Sequence, residues 1–540
     1  MDLFNNLDEL MQGEEMLNIK EASKWASDFT GKNITVSNIS YLIQHGRIKR
    51  YGEGRNVLIS INDLKNYYNS FYGRREALWK EQLGEDLNWA LSFEQYKEAE
   101  TTKHVHRLHP YKGKFIPQLV EYFLDSRIDN FKKEVYFNRG DIVLDPFCGS
   151  GTTLVQANEL GIHAIGIDVS EFNTLISNSK LHKYDLIELR KEVNRITDAL
   201  KRYLLNSNIL EFDKQLSKHL SIFNDEYFPV PEYRYNLRLG LIDEGRYGME
   251  KARLFLETYN ELIRKYNIKL ELGDTERFID RWFLGTIRAE IELVKGEIEK
   301  IKDVNIKDVV RIILSRVVRS CRATTHSDLA TLKEPVVNPY YCFKHGKICR
   351  PIFSMLKWWL TYSNDTIRRL AEFNELRTDS FQICLTGDSR AIDIVKELDF
   401  YNSELAVMVR DRGINGIFSS PPYVGLIDYH EQHAYAYELF GFERRDNLEI
   451  GSFLNGQGEA ARNSYVEGIS KVLINCKRYL ANNYHVFLVA NDKFNLYPII
   501  AEKSGMEIVN RFKRPVLNRA EKDRGMYSEI IFHLKEKIVT

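Results

Sequence analysis

The stretch DIVLDPFCGSGTTLVQANELGIHAIGID, which runs from Asp141 to Asp168, predicts a strand, a glycine turn, a helix and a second strand. The apolar residues Ile142 to Leu144 form the first strand and lead directly into Asp145. A helix is expected from Thr152 to Leu160, because a glycine follows it and a second apolar run then ends at Asp168. Such a unit predicts an open α/β sheet, which binds its ligand at the carboxyl ends of the strands.

The glycine turn fits a bound adenosine. Gly149 and Gly151 remove side chains where a ligand approaches the backbone, and Asp168 is placed to accept hydrogen bonds from ribose hydroxyls. A dinucleotide fingerprint would have a third glycine at the position of Leu154, and a phosphate loop would continue with Gly-Lys-Ser/Thr. Neither pattern occurs, so the turn predicts a site for a nucleoside without a pyrophosphate.

Two motifs resemble those of the S-adenosylmethionine-dependent DNA amino-methyltransferases. Asp145-Pro146-Phe147-Cys148-Gly149-Ser150-Gly151-Thr152-Thr153 is similar to the cofactor motif of that family, and Ser420-Pro421-Pro422-Tyr423 is similar to its catalytic motif. The resemblance implies an α/β fold, namely a Rossmann-like class I methyltransferase sheet with helices on both faces. It also implies S-adenosyl-L-methionine as the methyl donor and an exocyclic amino group of double-stranded DNA as the acceptor.

The resemblance further implies which residues hold the cofactor. They lie in the glycine turn, in the segment before the first strand and at the ends of two later strands: Phe115, Asp145, Pro146, Phe147, Gly149, Gly151, Thr152, Asp168 and Asp388. Asp388 follows an apolar strand and suits the position where a carboxylate accepts from the adenine amino group. Phe115 belongs to the segment that closes over the methionine end of the cofactor, and a plain core position is the alternative for its ring.

The Ser-Pro-Pro-Tyr motif fits catalysis at a weakly nucleophilic amine. The lone pair of an exocyclic amino nitrogen is delocalised into the base, so the enzyme must accept hydrogen bonds from that amine while the nitrogen attacks the methyl group. The Ser420 side chain and the Pro421 carbonyl are the expected acceptors, and Pro422 helps to hold the backbone rigid. Tyr423 is expected to stack on a base that has left the helix. Ring-carbon methylation would need a Pro-Cys nucleophile, and that pair does not occur in the sequence.

The first residue of the motif bears on the base that is modified. In the family that the chain resembles, Ser before Pro-Pro-Tyr is typical of N4-cytosine enzymes, whereas Asp or Asn is typical of N6-adenine enzymes. We therefore predict N4-cytosine methylation, with N6-adenine methylation and amino-methylation of RNA as alternatives. A regulator built on an inactive methyltransferase is disfavoured because the motif residues are intact. A restriction-modification or phage-defence setting is expected, with a cognate endonuclease or defence protein as partner, because no nuclease motif is found.

Composition bounds the remaining classes. A chain of 540 residues has room for roughly two to four domains. Lys plus Arg equals Asp plus Glu at 76 each, so affinity for DNA must come from local basic patches. The acidic start and the lack of a long apolar run predict a cytoplasmic protein without a membrane partner. Six scattered cysteines do not form a disulfide framework.

Four segments are predicted along the chain. They are a winged helix-turn-helix of the excisionase or MerR kind (1–75), the cofactor half of the methyltransferase core (76–183), a mostly helical insertion that is the candidate target-recognition domain (184–378), and the catalytic half of the core (379–540). Within the insertion, the apolar positions from Leu189 to Leu204 and from Phe278 to Val294 each predict an amphipathic helix.

Contacts with DNA are predicted from polar and basic side chains in three of these segments. They are Ser37, Asn38, Arg47, Arg50 and Arg55 in the winged helix, Arg319 and Arg322 in the insertion, and Arg514 in a basic run between two strands of a terminal hairpin. A protein-contact module is the alternative for the winged helix, and a solvated basic face is the alternative for the insertion.

Cys342, His345 and Cys349, with Cys321 and His326 nearby in sequence, raise the question of a metal. The spacing C-x2-H-x3-C does not match a common zinc pattern, and no second tight pair of ligands completes a tetrad. We therefore predict no metal site, and expect buried thiols and a surface histidine instead.

Overall fold

The computed structural model describes residues 15–31, 33–44, 46–52, 57–71, 75–326, 332–426, 429–517 and 525–537. The strands are β1 (Met16–Asn18), β2 (Leu58–Ser60), β3 (Ile142–Asp145), β4 (His163–Asp168), β5 (Tyr340–Cys342), β6 (Lys347–Cys349), β7 (Gln382–Thr386), β8 (Ile414–Ser419), β9 (Leu480–Ala490), β10 (Met506–Pro515) and β11 (Ser528–Glu536).

The α-helices fall into an amino-terminal set and a carboxyl-terminal set. The first set is α1 (Ile19–Thr30), α2 (Val36–Gln44), α3 (Ile61–Phe71), α4 (Arg75–Leu83), α5 (Glu98–Thr101), α6 (Pro117–Leu124), α7 (Thr152–Glu159), α8 (Glu171–Leu181), α9 (Leu186–Leu205), α10 (Ile209–Tyr227), α11 (Glu232–Arg238) and α12 (Glu244–Tyr266). The second set is α13 (Phe278–Trp282), α14 (Gly285–Glu299), α15 (Val304–Ser320), α16 (Leu356–Asn374), α17 (Ile394–Tyr401), α18 (Ser403–Arg412), α19 (Tyr429–Gln432), α20 (Ala434–Phe440), α21 (Glu459–Lys477) and α22 (Tyr497–Lys503).

Contacts group the described residues into two compact units. The first unit draws on Met1–Gln82, Ser207–Leu270 and Ala323–Phe353, and the second on Leu83–Asn206, Glu271–Arg322 and Ser354–Thr540. Residues 184–378, the predicted insertion, are divided between these two units. Its role in target recognition stays a prediction.

The second unit is built on a seven-stranded sheet with the order β10-β11-β9-β8-β3-β4-β7. The strands from β9 to β7 pair in parallel, and β11 lies antiparallel between β9 and β10. Parallel neighbours need helical crossovers, which α7, α8 and the later helices supply. This mostly parallel sheet confirms the predicted α/β class.

Helices cover both faces of the sheet. On one face Ile142 and Leu144 of β3 join a buried cluster with residues of α17, α18, α21 and α22. On the other face Phe123 of α6 packs its ring 5.7 Å from that of Phe418 and 4.9 Å from that of Phe487. Side chains alternate between the faces of a strand, so strands covered on both sides become continuous apolar runs. Burying each large apolar side chain stabilises the fold by about 1.5–3 kcal/mol.

Of the two helices predicted in the insertion, one is confirmed and one is wrong. The predicted helix from Leu189 to Leu204 is confirmed as part of α9, which buries its apolar stripe. The helix expected from Phe278 to Val294 is wrong, because the chain is extended at Phe283 and forms α13 and α14 on either side of it. At this break the backbone N–H of Gly285 donates to the carbonyl of Glu271 at 2.8 Å instead of continuing one helix.

The basic run near the carboxyl terminus also differs from its prediction. It was expected between two strands, but it lies within β10, where Arg514 pairs with Glu529 of β11. Since a strand alternates its side chains, Phe512 and Arg514 point inward with exposures of 5% and 4%. Arg511 and Lys513 take the outward positions.

The amino-terminal part of the first unit has its own small core. α1, α2, α3 and the antiparallel pair β1–β2 surround the buried residues Ala22, Ala26, Ile39, Leu42 and Leu64. α1 begins at Ile19, because Met16–Asn18 forms a strand and the Asn18 side chain caps the helix. The winged helix-turn-helix stays a prediction, and residues 53–56 of its wing, with Arg55, lie outside the described residues.

Among the described residues, no helix combines the length and the apolar character that a membrane span requires.

Candidate active site

The parallel pairing of β3 and β8 brings the two sequence motifs together. Leu144 of β3 pairs with Ile417 of β8, so both strands end at the same edge of the sheet. The glycine turn follows β3, and Ser-Pro-Pro-Tyr follows β8. The hydroxyl of Ser419 donates to Asp145 Oδ1 at 2.6 Å across a separation of 274 positions. The two motifs therefore meet in one place, as the resemblance required.

A cavity of about 880 Å³, its open mouth included, lies at this edge. Its walls include these residues predicted from sequence: Phe115, Asp145, Pro146, Phe147, Gly149, Thr152, Asp168, Asp388, Ser420 and Pro422. Gly151, Pro421 and Tyr423 are not among the described residues that line it.

Asp168 fixes the glycine turn from the end of β4. Its Oδ2 accepts from the backbone N–H of Gly149 at 2.8 Å, and its Oδ1 accepts from Ser170 N at 2.9 Å and Asn173 Nδ2 at 3.1 Å. A carboxylate offers about four acceptor positions, so one remains for a ligand hydroxyl. Burial raises the pKa of Asp168 to about 6 even though these hydrogen bonds oppose the shift.

Asp145 is the link between the motifs. Besides Ser419, its Oδ1 accepts from the backbone N–H of Phe147 at 3.2 Å. The side chain is 2% exposed, and burial raises the pKa of this carboxyl to about 6 although hydrogen bonds from Ser419 and Thr153 lower it. The site thus contains two acids that a cationic ligand would favour in the ionised form.

The two glycines of the turn are required for different reasons. Gly149 has φ +52°, and a Cβ there would lie 3.0 Å from the hydroxyl of Tyr111 at the cavity wall. Gly151 has φ +74°, and a Cβ there would lie 2.9 Å from the Ser177 hydroxyl. Packing against α8 therefore explains Gly151, and the predicted ligand contact at this residue stays a prediction.

Asp388 lines the cavity with its carboxylate already paired. The Nε of Arg390 lies 2.9 and 3.0 Å from the two oxygens of Asp388, and the backbone N–H of Arg390 donates to Oδ1 at 2.9 Å. The Arg390 guanidinium balances the charge of Asp388. The Asp388 oxygens that face the cavity can therefore accept hydrogen bonds without adding net negative charge. The predicted contact with adenine stays a prediction.

The catalytic tetrapeptide is held by its neighbours. The Ser420 hydroxyl donates to the carbonyl of Val489 at 3.1 Å, so its oxygen keeps only acceptor capacity for a further partner. The Tyr423 hydroxyl donates to Glu529 Oε1 at 2.8 Å. Glu529 Oε2 in turn lies 3.8 Å from Nη1 of Arg514.

This arrangement corrects the prediction that Arg514 contacts DNA. The side chain is 4% exposed and its guanidinium lies 5.9 Å from the ring of Phe93. Because it is buried next to Glu529, Arg514 belongs to the support of Tyr423 and not to a surface patch.

Several residues at the cavity were missed from sequence. Tyr111 and Tyr429 stack across the cavity wall with ring centroids 5.8 Å apart, and Asn173 Nδ2 donates to the Tyr111 hydroxyl at 3.3 Å. Glu449 accepts from the Tyr429 backbone N–H at 3.1 Å and lies 3.3 Å from His430 Nδ1. Of these residues, Tyr111 is the one that the sequence could have indicated, because it lies only four residues before the predicted cofactor contact Phe115. The segments at 429 and 449 follow no motif.

The remaining predicted DNA contacts are placed as follows. Ser37 and Asn38 are exposed on α2, Arg47 and Arg50 are half-buried, and Arg319 is partly exposed. Arg322 is only 7% exposed, its Nε donates to the carbonyl of Arg319 at 3.1 Å and its guanidinium lies 6.0 Å from the ring of Tyr435. Its burial argues against the predicted contact between Arg322 and a phosphate.

The prediction of no metal site was based on a missing fourth ligand, and this reasoning is wrong. His326 lies beside Cys342, His345 and Cys349, and the ligand atoms of all four residues are within 4.8 Å of one another. His326 was noted as nearby in sequence, but its position 16 residues before Cys342 gave no reason to join it to the other three.

Comparison with known proteins shows these likenesses. The N6_N4_Mtase family model, described as DNA methylase, matches residues 44–178. The chain is 46% identical to the type II methyltransferase M.MjaII of Methanocaldococcus jannaschii, over 98% of this chain and 99% of that protein. It is 34% identical to the type II methyltransferase M.BsoBI of Geobacillus stearothermophilus, over 78% of this chain and 67% of that protein.

Among solved structures, the chain resembles the rRNA methyltransferase aviRa from Streptomyces viridochromogenes with 10% identity and a TM-score of 0.27, covering 79% of this chain and 88% of that one. So low a score supports no argument about this chain.

Proposed function

Because this chain belongs to the type II DNA amino-methyltransferases, we propose that it methylates the exocyclic N4 of cytosine at a specific sequence in duplex DNA. S-adenosylmethionine is the methyl donor of the family, and restriction-modification is its setting. The observation that carries the proposal is the hydrogen bond from Ser419 to Asp145, because it joins the glycine turn to the Ser-Pro-Pro-Tyr loop at one cavity.

The residues of the cavity fit S-adenosylmethionine, which supplies a methyl group on a positively charged sulfur. Asp168 keeps an acceptor position for a ribose hydroxyl, and Gly149 combines a φ of +52° with a close approach to Tyr111, so both backbone strain and crowding oppose a larger residue there. The two buried acids with raised pKa, Asp145 and Asp168, give the cavity the negative charge that a cation requires. Phe115 lines the same cavity and packs its ring 5.5 Å from that of Phe418, so it serves both the core and the ligand.

Ser420 provides the acceptor for the amino group of the target base. Its own proton is committed to the Val489 carbonyl, so the oxygen presents lone pairs and cannot compete as a donor. Accepting a hydrogen bond from the amine favours a pyramidal nitrogen whose lone pair is free to attack the methyl group. Pro422, which lines the cavity beside Ser420, restricts the backbone of the loop so that this geometry is set before the base arrives.

Tyr423 acts on the ring of the base rather than on its amine. A base must leave the helix to reach the cavity edge, at a cost of about a few kcal/mol. Stacking on an aromatic ring returns about 1–3 kcal/mol per base. The hydrogen bond to Glu529 fixes the far end of Tyr423, so little freedom of the ring is lost when the base binds.

The choice of cytosine over adenine rests on Ser420, since a neutral hydroxyl begins the tetrapeptide where the adenine enzymes carry Asp or Asn. A separate endonuclease that cleaves the same sequence is proposed as partner, because the chain carries no nuclease motif. The exposed Ser37 and Asn38 of α2, with Arg47 and Arg50, are proposed to contact DNA.

The test is to incubate the full chain with unmethylated genomic DNA and tritiated S-adenosylmethionine, and then to digest the DNA and identify the labelled nucleoside by mass spectrometry. The expected labelled nucleoside is N4-methyldeoxycytidine. N6-methyldeoxyadenosine would overturn the choice of base but keep the family. Label that enters RNA and not DNA would overturn the substrate.

A further inference from the structure

We propose that His326, Cys342, His345 and Cys349 form a zinc site in the first unit. Their ligand atoms, two thiol sulfurs and two imidazole nitrogens, lie within 4.8 Å of one another. Two cysteines and two histidines are a usual ligand set of tetrahedral structural zinc. The site is separate from the cavity of the second unit and does not depend on the methyltransferase proposal.

A short hairpin presents three of the ligands. Cys342 ends β5, Cys349 ends β6, and His345 stands in the turn between the strands. The carbonyl of Cys342 accepts from the backbone N–H groups of His345 at 3.0 Å and Gly346 at 2.6 Å, and Gly346 has φ +60°. This tight turn folds His345 back beside the two cysteines.

The fourth ligand arrives from outside the hairpin. His326 Nδ1 lies 3.7 Å from Cys342 Sγ, and its ring centroid lies 4.4 Å from that of His345. The backbone N–H of His326 donates to the Tyr340 hydroxyl at 3.2 Å, which holds this segment against β5. The same hydroxyl lies 2.8 Å from His326 Nδ1, a contact that zinc would replace at that nitrogen. The cluster is thus closed by a residue that sequence spacing alone does not connect to the hairpin.

Two of the sulfur–nitrogen separations are close to those that zinc imposes. With Zn–S about 2.3 Å and Zn–N about 2.0–2.1 Å at tetrahedral angles, a bound sulfur and nitrogen are about 3.5 Å apart. The distance from His345 Nδ1 to Cys349 Sγ is 3.3 Å, and the distance from His326 Nδ1 to Cys342 Sγ is 3.7 Å. Both values lie close to the edge of that tetrahedron.

The ligand set indicates a structural role for the metal. Four protein ligands leave no open position for water or substrate. The hairpin strands contain three residues each, too few to form a core of their own. Its flanks contact the helices of the unit: Arg350 binds Asp213 of α10 at 2.7 Å, and the Tyr341 hydroxyl donates to Glu244 of α12 at 2.8 Å. Zinc would clip the hairpin and the His326 segment together so that these contacts persist.

A second group of ligand atoms, His104, His106 and Glu159, does not fit a metal. Lys103 binds Glu159 at 2.5 Å, and the positive charges of Lys114 and Lys180 act on His106. This group lies among ammonium groups that repel a divalent cation.

The experiment measures metal in the full chain, purified without chelators and under reducing conditions. Elemental analysis should find one zinc per chain. Replacement of zinc by Co²⁺ should give the intense visible bands of tetrahedral cobalt together with a thiolate-to-cobalt band in the near ultraviolet. The double variant Cys342→Ser/Cys349→Ser should lose the metal, whereas Cys321→Ser, a buried thiol outside the cluster, should keep it.

A variant that does not fold leaves the test intact, because the wild-type stoichiometry and the cobalt spectrum need no substitution. His345→Ala changes an exposed side chain and should weaken zinc binding at least tenfold in a competition assay with a chromogenic chelator, whereas the exposed His219→Ala should not. Wild-type chain that takes up neither zinc nor Co²⁺ would overturn the proposal. So would a Cys342–Cys349 disulfide found by mass spectrometry in freshly purified protein, or a cobalt spectrum without the thiolate band.

Discussion

The cavity edge of the second unit and the cysteine–histidine cluster of the first unit are both assembled from distant residues, but by different means. At the cavity edge, parallel pairing of β3 and β8 fixes two loops that are each recognisable alone. In the cluster, one ligand comes from a segment that no strand pairing connects to the hairpin among the described residues. A sheet thus carries sequence motifs to predictable positions, whereas a cluster built from single side chains becomes visible only in three dimensions.

The two regions also differ in how they treat charge. At the cavity edge, burial raises the pKa of the Asp145 and Asp168 carboxyls to about 6. Their ionised forms are therefore destabilised, and a cationic ligand would stabilise them. The cluster gathers two imidazoles and two thiols, which a metal would join into one charged assembly. The first region is therefore expected to control turnover, and the second is expected to control local stability.

The largest effect is expected at Ser420. Ser420→Ala removes the acceptor for the amino group, and the loss of one such hydrogen bond in a transition state typically costs about 10²–10³-fold in kcat. Methyl transfer to DNA should fall by that factor while the affinity for S-adenosylmethionine in calorimetry stays unchanged. Ser504→Ala is the matched control, because its hydroxyl also donates to a backbone carbonyl, that of Ile500 at 2.9 Å, but away from the cavity. A variant of Ser420 with full activity would remove the acceptor role.

A smaller effect is expected at Tyr423, and its two parts can be separated. Tyr423→Ala should lose the stacking of the base, about 1–3 kcal/mol, and weaken binding to the target DNA by about 5–150-fold. Tyr423→Phe keeps the ring and loses only the hydrogen bond to Glu529, so it should retain most of that affinity. Fluorescence of 2-aminopurine placed beside the target cytosine would report the loss of stacking when that base is flipped. Equal losses in both variants would show that the hydroxyl, not the ring, is what matters.

The fold around the cavity could be predicted because its signals are local. The run from Ile142 to Leu144 is apolar throughout, since both faces of β3 are covered, and a glycine turn follows it. The error at Phe283 arose because apolar residues continue at helical spacing across a break that is fixed by a distant partner, the carbonyl of Glu271. The error at Arg514 arose because a run of basic residues looked like a surface, although Glu529 on β11 lies 3.8 Å away and accommodates the buried charge.

The site was predicted in the same uneven way. Asp145, Gly149 and Ser420 belong to contiguous motifs, and the structure brings them together. Tyr429 and Glu449 reach the cavity from a segment with no motif, because only the packing of the chain around α20 carries them there. His326 was named from the sequence but not joined to Cys342, His345 and Cys349, for the same physical reason.

A moderate effect is expected when the charge of the cavity is changed. Asp168→Asn keeps the shape but loses the negative charge, and should weaken binding of S-adenosylmethionine about tenfold or more, or about 1.4 kcal/mol. The exposed Asp399→Asn is the control and should bind normally. Unchanged affinity of Asp168→Asn in calorimetry would contradict the role of this acid.

The same acid gives a pH dependence with a defined sign. The pKa of Asp168 is raised to about 6, so the carboxyl is protonated below that pH in the free protein and must release its proton when a cation binds. Affinity for S-adenosylmethionine should therefore fall as the pH is lowered from 7.5 to 5, by up to about tenfold for each such group. The fall should be shallower in Asp168→Asn, with Asp145 accounting for the rest. An affinity that rises on acidification would reverse the assignment.

The smallest effect at the cavity is expected from removal of the metal. If the cluster is only a clip for the β5–β6 hairpin, stripping zinc with a chelator should leave the affinity for S-adenosylmethionine within about twofold, because the cavity-lining residues belong to the second unit. Hydrogen exchange should speed up at the hairpin and at its contacts with α10 and α12, since these lose the cross-link, while β3 and β8 stay protected. Readdition of zinc should restore the hairpin. Loss of cofactor binding together with the metal would mean that the two regions act as one, and the contrast between a catalytic edge and a structural clip would fail.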